Sequence, residues 1–229
     1  YTGMKAAIDV VDEIKAKLVA AREPGVDRAK IQSEITALQG QLTSNAGAST
    51  FSGENWLSVD SSAAGYSATK SIVASFTRAT DGSVSIGTIS VDTSSTKLFD
   101  AAADAAAAGT GILDGRYDAA TGTLLADQST GGFTVATLDI SALTNSTADL
   151  TTLENYIKGV DDAISKMTTA ASDLGAAKKR IDLQSEFVGN LMDTIDRGVG
   201  TLVDADMNKE STRLQALQVQ QQLGIQALS

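Results

Sequence analysis

Residues 150–174 read "LTTLENYIKGVDDAISKMTTAASDL", and the spacing of their apolar side chains decides the fold of this chain. These side chains recur at alternating steps of three and four residues, which is the heptad pattern of helices that pack lengthwise against other helices. The positions on this seam are Leu150, Leu153, Ile157, Val160, Ile164, Met167, Ala171 and Leu174. The stretch therefore predicts a helix with one buried face.

The same seam continues toward the C-terminus. After mismatches at Lys178 and Ser185 it includes Ile181, Val188, Met192, Ile195, Val199 and Leu202. No proline interrupts residues 150–202. At 1.5 Å per residue such a helix is roughly 80 Å long. A single globular core cannot cover a helix of this length, so other helices must cover parts of it.

Two shorter heptad segments at the N-terminus predict helices that could cover part of the long helix. The first comprises Met4, Ala7, Val11, Ile14, Leu18 and Ala21, and the second comprises Ile31, Ile35, Leu38 and Leu42, with Asn45 on the same seam. The turn pair Pro24-Gly25 separates them, and Asp27 is placed to cap the second helix. This order predicts two antiparallel helices that pack along part of the long helix.

The middle of the chain, residues 51–148, has a different period. Residues 71–78 alternate in polarity, Asp81-Gly82 is a hairpin signal, and residues 84–91 and 133–140 alternate with one slip each. Residues 99–109 predict a short helix that Asp100 caps. The fold class is therefore α+β: an elongated antiparallel helical coiled-coil rod with an inserted, mostly β domain.

Composition excludes several functional classes. The formal net charge is −10 with a pI of about 4.4, which argues against nucleic acid as a partner. No apolar run is long enough to predict a membrane span. The absence of histidine and cysteine removes the usual catalytic bases, thiol nucleophiles and metal ligands, so we expect neither an enzyme nor a cofactor. The helical start without an initiating methionine predicts a piece of a longer chain.

Two motifs suggest ligands but lack the residues that those ligands require. The stretch "DADMNKE" (204–210) opens like a calcium loop, yet Lys209 stands where the turn needs glycine and Gln215 where the bidentate glutamate belongs. We predict a helix break there instead, with Asp204 and Asp206 as caps. The stretch "GTGILDG" (109–115) lacks the GK[ST] of a phosphate loop.

The C-terminal stretch "RLQALQVQQQLGIQALS" (213–229) contains no charge after Arg213. As a helix it has two opposite apolar stripes. One consists of Leu214, Leu217, Ile225 and Leu228, and the other of Ala216, Val219, Leu223 and Ala227. A surface helix needs only one apolar stripe. This helix therefore predicts burial on both sides.

Motifs along the chain resemble those of bacterial flagellin, the subunit of the flagellar filament. "KIQSEITALQGQL" (30–42) before "FSGENWL" (51–57) is similar to the flagellin IQ-x-EI helix and its F-N-G-x-x-L, with Ser52 in place of the usual Asn. "DLGAAKKRI" (173–181) resembles D-L-G-A-x-x-N-R-L, with Lys179 in place of Asn. The motif positions are Ile31, Gln32, Glu34, Ile35, Phe51, Gly53, Leu57, Asp173, Leu174 and Gly175. Residues 204–229 resemble the flagellin C-terminal segment.

The resemblance implies a secreted, extracellular structural subunit that assembles into the filament for swimming motility. It implies residues 1–50 and 149–205 as the rod, 51–148 as a variable outer segment and 206–229 as the start of an inner-core helix. The implied self-assembly residues are Leu214, Leu217, Val219, Leu223, Ile225 and Leu228. The implied partners are other flagellin subunits, the flagellar type III export apparatus, an export chaperone, and the filament cap and junction proteins.

Two other functions remain open at the level of sequence. A hook–filament junction protein resembles flagellin at its ends, although the stretches FSGENWL and QQQLGIQALS would match it less closely. A surface adhesin would use residues 51–148 to bind glycans. That segment contains Trp56, Tyr66 and Tyr117 but no visible aromatic platform.

Overall fold

The structure is a computed structural model that describes residues 1–51, 53–78, 84–102, 110–126 and 131–228. At 51, 74, 76–78, 84–85 and 225–228 it describes the main chain alone. The chain divides into two compact units. Tyr1–Val73 and Thr88–Lys179 form the first, and Ala74–Gly87 and Arg180–Ser229 form the second. The hydrophobic core lies in the first unit.

Within the described ranges, three helices occupy the positions that the heptads predicted. They are α1 (Thr2–Ala20), α2 (Arg28–Ala48) and α3 (Thr147–Leu228). The predicted seam of the first helix is confirmed, because Met4, Ala7, Val11, Ile14, Leu18 and Ala21 are all fully buried. On α2, Ile35 and Leu42 are buried and Ile31 and Leu38 are partly buried. The Asp27 cap is also confirmed, since its carboxylate accepts a hydrogen bond from the Lys30 N–H.

The first part of α3 packs antiparallel to α1. Lys15 Nζ lies 2.5 Å from the Asp161 carboxylate, and Arg22 lies 3.9 Å from Glu154, so that higher numbers on α1 meet lower numbers on α3. Seam residues of α3 between 153 and 174 are buried in the same core: Leu153, Val160, Met167, Ala171 and Leu174. The heptads thus predicted the buried face of α3 correctly over this stretch.

The break predicted at residues 204–210 is wrong. α3 continues without interruption through Asp204 and Asp206 to Leu228. Aspartate and asparagine inside a helix each cost at most about 0.7 kcal/mol relative to alanine. The stretch contains neither proline nor glycine. A few such residues among good helix formers are therefore too weak a signal to end a helix.

The middle segment contains less strand than its alternating pattern predicted. Its strands are β1 (Thr50–Phe51), β2 (Glu54–Asn55), β3 (Ser58–Val59), β4 (Thr69–Arg78), β5 (Val84–Asp92), β6 (Phe99–Asp100), β7 (Arg116–Tyr117) and β8 (Phe133–Thr134). Within the described residues they form separate pairs: β1–β2, β3–β6, β4–β5 and β7–β8. The β3–β6 pair is parallel, and β1–β2 and β7–β8 are antiparallel. Among these described strands only β4 and β5 are long, as the hairpin signal predicted. The turn at residues 81–82 lies outside the described residues.

Two local predictions in this segment need correction. Phe99 and Asp100 belong to β6 and not to a helix, because their backbone pairs with Ser58 and Val59; residues 103–109 lie outside the described range. The strand predicted at 133–140 ends at Thr134.

Side chains of α2 explain why Val135, Leu138 and Ile140 can remain buried without a strand partner. The Gln32 side-chain oxygen accepts a hydrogen bond from the Ile140 N–H at 2.9 Å. Gln39 Nε2 donates to the carbonyls of Val135 and Leu138 at 3.1 and 3.2 Å. These glutamines satisfy polar backbone groups that a sheet would otherwise pair. The alternation of polarity therefore reflects packing on α2.

The hydrophobic core is shared by the helices and the middle segment. Besides seam residues of all three helices it contains, from the middle segment, Leu57, Leu98, Ile112, Leu113, Tyr117, Phe133, Val135, Leu138 and Ile140. Burial of a large apolar side chain stabilises a fold by about 1.5–3 kcal/mol. The middle segment consequently contributes to the stability of the helices on which it packs.

Arg28 joins the ends of these elements. Its buried guanidinium donates to the carbonyl of Ala21 at the end of α1, to the carbonyl of Leu143 and to the side-chain oxygen of Asn145, at 3.0, 3.3 and 2.8 Å. The planar fork of arginine can reach several acceptors at once. One side chain therefore holds together the α1–α2 turn and the segment that leads into α3.

Candidate assembly surface

The C-terminal part of α3 presents a large apolar surface. Every residue from 191 to 224 is exposed. The large apolar side chains that are exposed on α3 are Leu183, Phe187, Leu191, Met192, Ile195, Val199, Leu202, Val203, Met207, Leu214, Leu217, Val219 and Leu223. Exposed apolar surface of this extent is characteristic of sites that bind other proteins.

The residues that the sequence predicted for self-assembly lie on this surface. Leu214, Leu217, Val219 and Leu223 are 54%, 54%, 56% and 60% exposed. The side chains of Ile225 and Leu228 lie outside the described part. A shallow, uncharged groove runs along the helix, and its lining residues are Thr212, Gln215, Ala216, Val219, Gln220 and Leu223. Such a surface can bury apolar side chains of a partner without desolvating any charge.

Sequence reasoning missed a second group of exposed apolar residues. Leu183, Phe187 and Leu191 are spaced by four residues, which places them in one row along the helix. They do not fall on the heptad seam, and the heptad pattern therefore does not identify them. Their regular spacing and the aromatic residue at the centre are the signals that could have identified the row.

The motif residues on α2 lie at its contacts with other elements. Ile35 is buried in the core, and Ile31 packs against it. Gln32 binds the loop at residues 138–140. The Glu34 carboxylate lies 2.5 Å from Lys17 Nζ on α1, in an exposed ion pair. These residues hold α1, α2 and the middle segment together.

The second motif shapes the chain after α2. Gly53 has φ +82° in the β1–β2 turn, a conformation that favours glycine. Leu57 is buried, and its carbonyl accepts hydrogen bonds from the N–H groups of Leu98 and Phe99 at 2.8 and 3.0 Å. Phe51 pairs through its backbone with Glu54, and its side chain is outside the described part.

The third motif lies on α3. Leu174 is a core residue, and Gly175 lies against the Tyr1 ring, which a Cβ at this position would contact at 3.4 Å. Asp173 is exposed and lines a cavity that Lys97 and Lys166 also line. The three motifs are thus spread over the first unit and form packing contacts; the structure does not bring them together into one site.

A buried polar cluster adjoins that cavity, since Lys97 and Thr110 belong to both. The Asp100 carboxylate accepts hydrogen bonds from Lys97 Nζ at 2.7 Å, Ser61 Oγ at 2.7 Å and Thr110 Oγ1 at 2.5 Å. Burial raises the pKa of Asp100, but the hydrogen bonds from Lys97, Thr110 and Ser61 outweigh it and hold the pKa well below its ordinary value. Burial raises the pKa of nearby Asp114, which accepts the Asp100 N–H at 2.6 Å. Through Ser61 and Thr110 the cluster connects β6 with two loops.

Asp100→Asn is expected to lower the free energy of unfolding at neutral pH. That free energy should also fall less steeply in the variant than in the wild type as the pH is lowered into acid. Because the folded pKa of Asp100 lies below the unfolded value of about 3.9, its contribution is complete well above that pH. The contribution is lost as the pH falls through the folded pKa. Urea unfolding between neutral pH and strong acid measures this difference.

The matched control is Asp12→Asn at an exposed position of α1. It should leave the acid dependence close to that of the wild type. Burial and, to a smaller extent, the charge of Asp100 raise the pKa of Asp114, which acts in the opposite direction, so the difference between wild type and Asp100→Asn reports Asp100 together with its effect on Asp114. Parallel curves for Asp100→Asn and wild type down to strong acid would contradict the prediction.

Two negative findings apply to the part of the chain that the structure describes. None of the helices there has an apolar stretch sufficient to cross a membrane. No three acidic side chains converge there as a metal site, and Asp204, Asp206 and Asn208 are simply successive parts of α3.

Comparison with known proteins gives matches at both helical ends of the chain. A profile of the bacterial flagellin N-terminal helical region matches residues 1–62, and one of the bacterial flagellin C-terminal helical region matches residues 157–229. The second match covers the whole exposed stretch of α3. The first covers α1, α2 and the motifs that follow.

Relatives align with the chain over its whole length. Flagellin C of Rhizobium meliloti strain 1021 is 48% identical over 235 residues, spanning 100% of this chain and 71% of the relative. Flagellin A of the same strain is 43% identical and is covered to 77%, and a flagellin of Brucella melitensis is 35% identical and is covered to 67%. The similarity therefore includes the middle segment as well as both helical regions.

Proposed function

This chain belongs to the bacterial flagellin family and is a structural subunit of the flagellar filament, and we propose that it assembles through the exposed apolar faces of α3. As a filament component it is extracellular. The junction protein and the adhesin are not favoured, because the full chain aligns with flagellins. Flagellins are structural proteins, and we propose that this chain has no catalytic activity and needs no cofactor.

One observation carries the proposed mode of assembly. Leu214, Leu217, Val219 and Leu223 occupy two different sides of the uncharged stretch of α3 after Arg213 and are all more than half exposed. Full burial of each would stabilise an assembly by about 1.5–3 kcal/mol. A partner on one side only would leave the other side in water. We therefore assign these four residues, with Ile225 and Leu228, to contacts with neighbouring helices in the filament.

The arrangement of the chain in the filament follows from the same reasoning. Residues 1–50 and 149–205 would form a coiled-coil rod, which the buried heptads of α1 and α3 and their antiparallel ion pairs support. Residues 206–229 would begin the inner core, and residues 51–148 would face outward. Val135, Leu138 and Ile140 of this outer segment are buried in the same core as α2 and would join it to the rod.

The other partners are proposals from family membership alone. Polymerisation with further flagellin subunits is the partnership that the family implies directly. The flagellar type III export apparatus, an export chaperone and the filament cap and junction proteins would bind the subunit before or during assembly.

Electron microscopy of the intact protein under polymerising conditions tests the proposed function. We expect helical filaments. If the protein remains in small complexes under conditions that polymerise flagellin A of Rhizobium meliloti, the proposed assembly is wrong.

A further inference from the structure

We propose that Asp114 acts as a proton-operated latch within the middle segment. The loop at residues 110–115 is held more firmly when the Asp114 carboxyl is protonated than when it is ionised. Protonation therefore strengthens the attachment of the middle segment to the core that it shares with the helices. This inference concerns the fold of the free subunit and goes beyond its assembly into filaments.

The two oxygens of the Asp114 carboxyl have unequal surroundings. Oδ2 accepts the Asp100 N–H at 2.6 Å. Oδ1 is shielded from solvent and has no hydrogen-bond partner within the described residues. When the carboxyl is ionised, this oxygen carries negative charge without a donor or water to compensate it. When the carboxyl is protonated, the charge is removed and the group gains a hydrogen that it can donate.

A backbone carbonyl approaches the same place. A Cβ added to Gly111 would come within 2.5 Å of both Asp114 Oδ1 and the Leu98 carbonyl oxygen. The two oxygens thus converge on one small space beside the Cα of Gly111. Neighbouring acceptor oxygens repel each other, and the repulsion is larger when one of them belongs to a carboxylate. A proton on Asp114 relieves it.

The groups on β6 and next to it also favour the neutral form of Asp114. Burial raises the pKa of Asp114 most, and the negative charge of Asp100 raises it further, whereas backbone N–H groups, chiefly that of Asp100, lower it less. The ammonium group of Lys97 is bound to Asp100 at 2.7 Å and to Thr110 Oγ1 at 2.6 Å. The cation of this cluster is therefore engaged with Asp100.

The titratable groups on the other elements are engaged as well or lie toward solvent. On α3, Asp162, Lys166 and Asp173 line the adjoining cavity, and Lys166 lies 3.7 Å from the Asp162 carboxylate. Asp173 is exposed. Burial raises the pKa of the Tyr117 phenol on β7, so that it stays neutral throughout the pH range in which carboxyls ionise.

The loop that Asp114 controls connects β6 with the hydrophobic core. The Leu113 N–H donates to the Leu98 carbonyl at 2.9 Å, and the Leu113 carbonyl accepts the Ala136 N–H at 2.9 Å. Leu113 is fully buried, and Ile112 beside it is buried too. Repulsion between Asp114 and the Leu98 carbonyl therefore acts on an oxygen that also holds the loop in place.

Asp114 and Asp100 give the stability of this loop opposite dependences on pH. Because the folded pKa of Asp114 lies above the unfolded value of about 3.9, ionised Asp114 lowers stability at neutral pH. This loss is recovered as the pH falls through the folded pKa to the unfolded one. Below about pH 4 the contribution of Asp100 is lost in turn, since its folded pKa lies below its unfolded value. The pair by itself stabilises the loop most at about pH 4.

Amide hydrogen exchange in the intact, unpolymerised protein tests the proposal. The reporters are the N–H groups of Leu113 and Ala136, which hold the loop. After correction for intrinsic exchange, we expect their protection to fall between about pH 5 and about pH 7, by up to about tenfold for each unit by which the pKa of Asp114 is raised. In Asp114→Asn, which cannot ionise, this decrease should disappear. Protection in the variant at about pH 7 should equal or exceed that in the wild type.

The matched control is Asp173→Asn, which removes an exposed carboxylate that lines the adjoining cavity. It should keep the pH dependence of the wild type. The same pH dependence in Asp114→Asn as in the wild type would overturn the proposal. Weaker protection in Asp114→Asn at both pH values would also overturn it, because it would show that the ionised carboxylate holds the loop.

Carbon-13 NMR of the Asp114 carboxyl in the wild type provides a test that needs no variant. We expect its titration midpoint to lie above the ordinary value of about 3.9. A midpoint at or below that value would refute the latch. Since both measurements use the free subunit, refutation of the latch leaves the proposed assembly through α3 unaffected.

Discussion

Leu223→Asp in the intact subunit is expected to prevent filament growth. In the free chain Leu223 is 60% exposed, so a carboxylate at this position remains in water and the subunit stays folded. In the filament the same carboxylate would be buried in an uncharged interface. An unpaired buried charge costs several kcal/mol. Every subunit contact along the filament would be weakened by that amount. Growth in solutions of purified subunit, followed by light scattering and electron microscopy, measures the effect.

A neighbouring substitution provides the control for added charge. Gln222 lies about 100° around the helix from Leu223, between the two apolar stripes. Gln222→Asp adds the same carboxylate to the same turn of α3 and should still permit growth. Filaments of normal length from Leu223→Asp protein would mean that the stripe of Val219 and Leu223 is not an assembly surface. Equal loss of growth in both variants would point to charge in general and not to the stripe.

The helical part of the fold could be predicted because its signals are local and repeated. Each heptad of α1 adds another residue to one face, and all six predicted positions, from Met4 to Ala21, are buried. The end of α3 was harder to predict. Acidic residues at 204 and 206 resemble caps, but a cap acts only where the helix already ends.

The middle segment depends on contacts between residues distant in sequence. Ser58 pairs with Phe99, and the Gln32 side chain accepts a hydrogen bond from the Ile140 N–H. The local pattern of polarity indicates neither contact. The alternating polarity of residues 133–140 therefore predicts a strand, although side chains of α2 form the hydrogen bonds with that backbone. The terminal stripes could be predicted because a helix that is apolar on two sides is unusual. The row at Phe187 was missed because a stronger heptad signal runs beside it.

Tyr117→Ala is expected to destabilise the middle segment and the helices together. Tyr117 is fully buried, and its hydroxyl donates to the Ile112 carbonyl at 2.7 Å. Its ring lies 5.9 Å from that of Phe133, which in turn lies 4.5 Å from Tyr156 on α3. Gly159 on α3 makes room for this cluster, because a Cβ there would come within 2.4 Å of the Phe133 ring. The cluster thus joins the loops to the long helix through direct ring contacts.

Removal of a large buried ring costs about 3–5 kcal/mol, a substantial part of the stability of a typical domain. The midpoint of thermal unfolding should fall by on the order of 10 °C. Because the rings pack on α3, the loss of helical circular dichroism should shift together with the loss of the near-ultraviolet signal of the aromatic cluster. Tyr117→Phe, which keeps the ring and removes only the hydroxyl, should cost about 1–2 kcal/mol and leave the two signals coincident. If Tyr117→Ala abolishes the near-ultraviolet signal while the helices melt at the wild-type midpoint, the middle segment is an independent attachment and does not stabilise the helices.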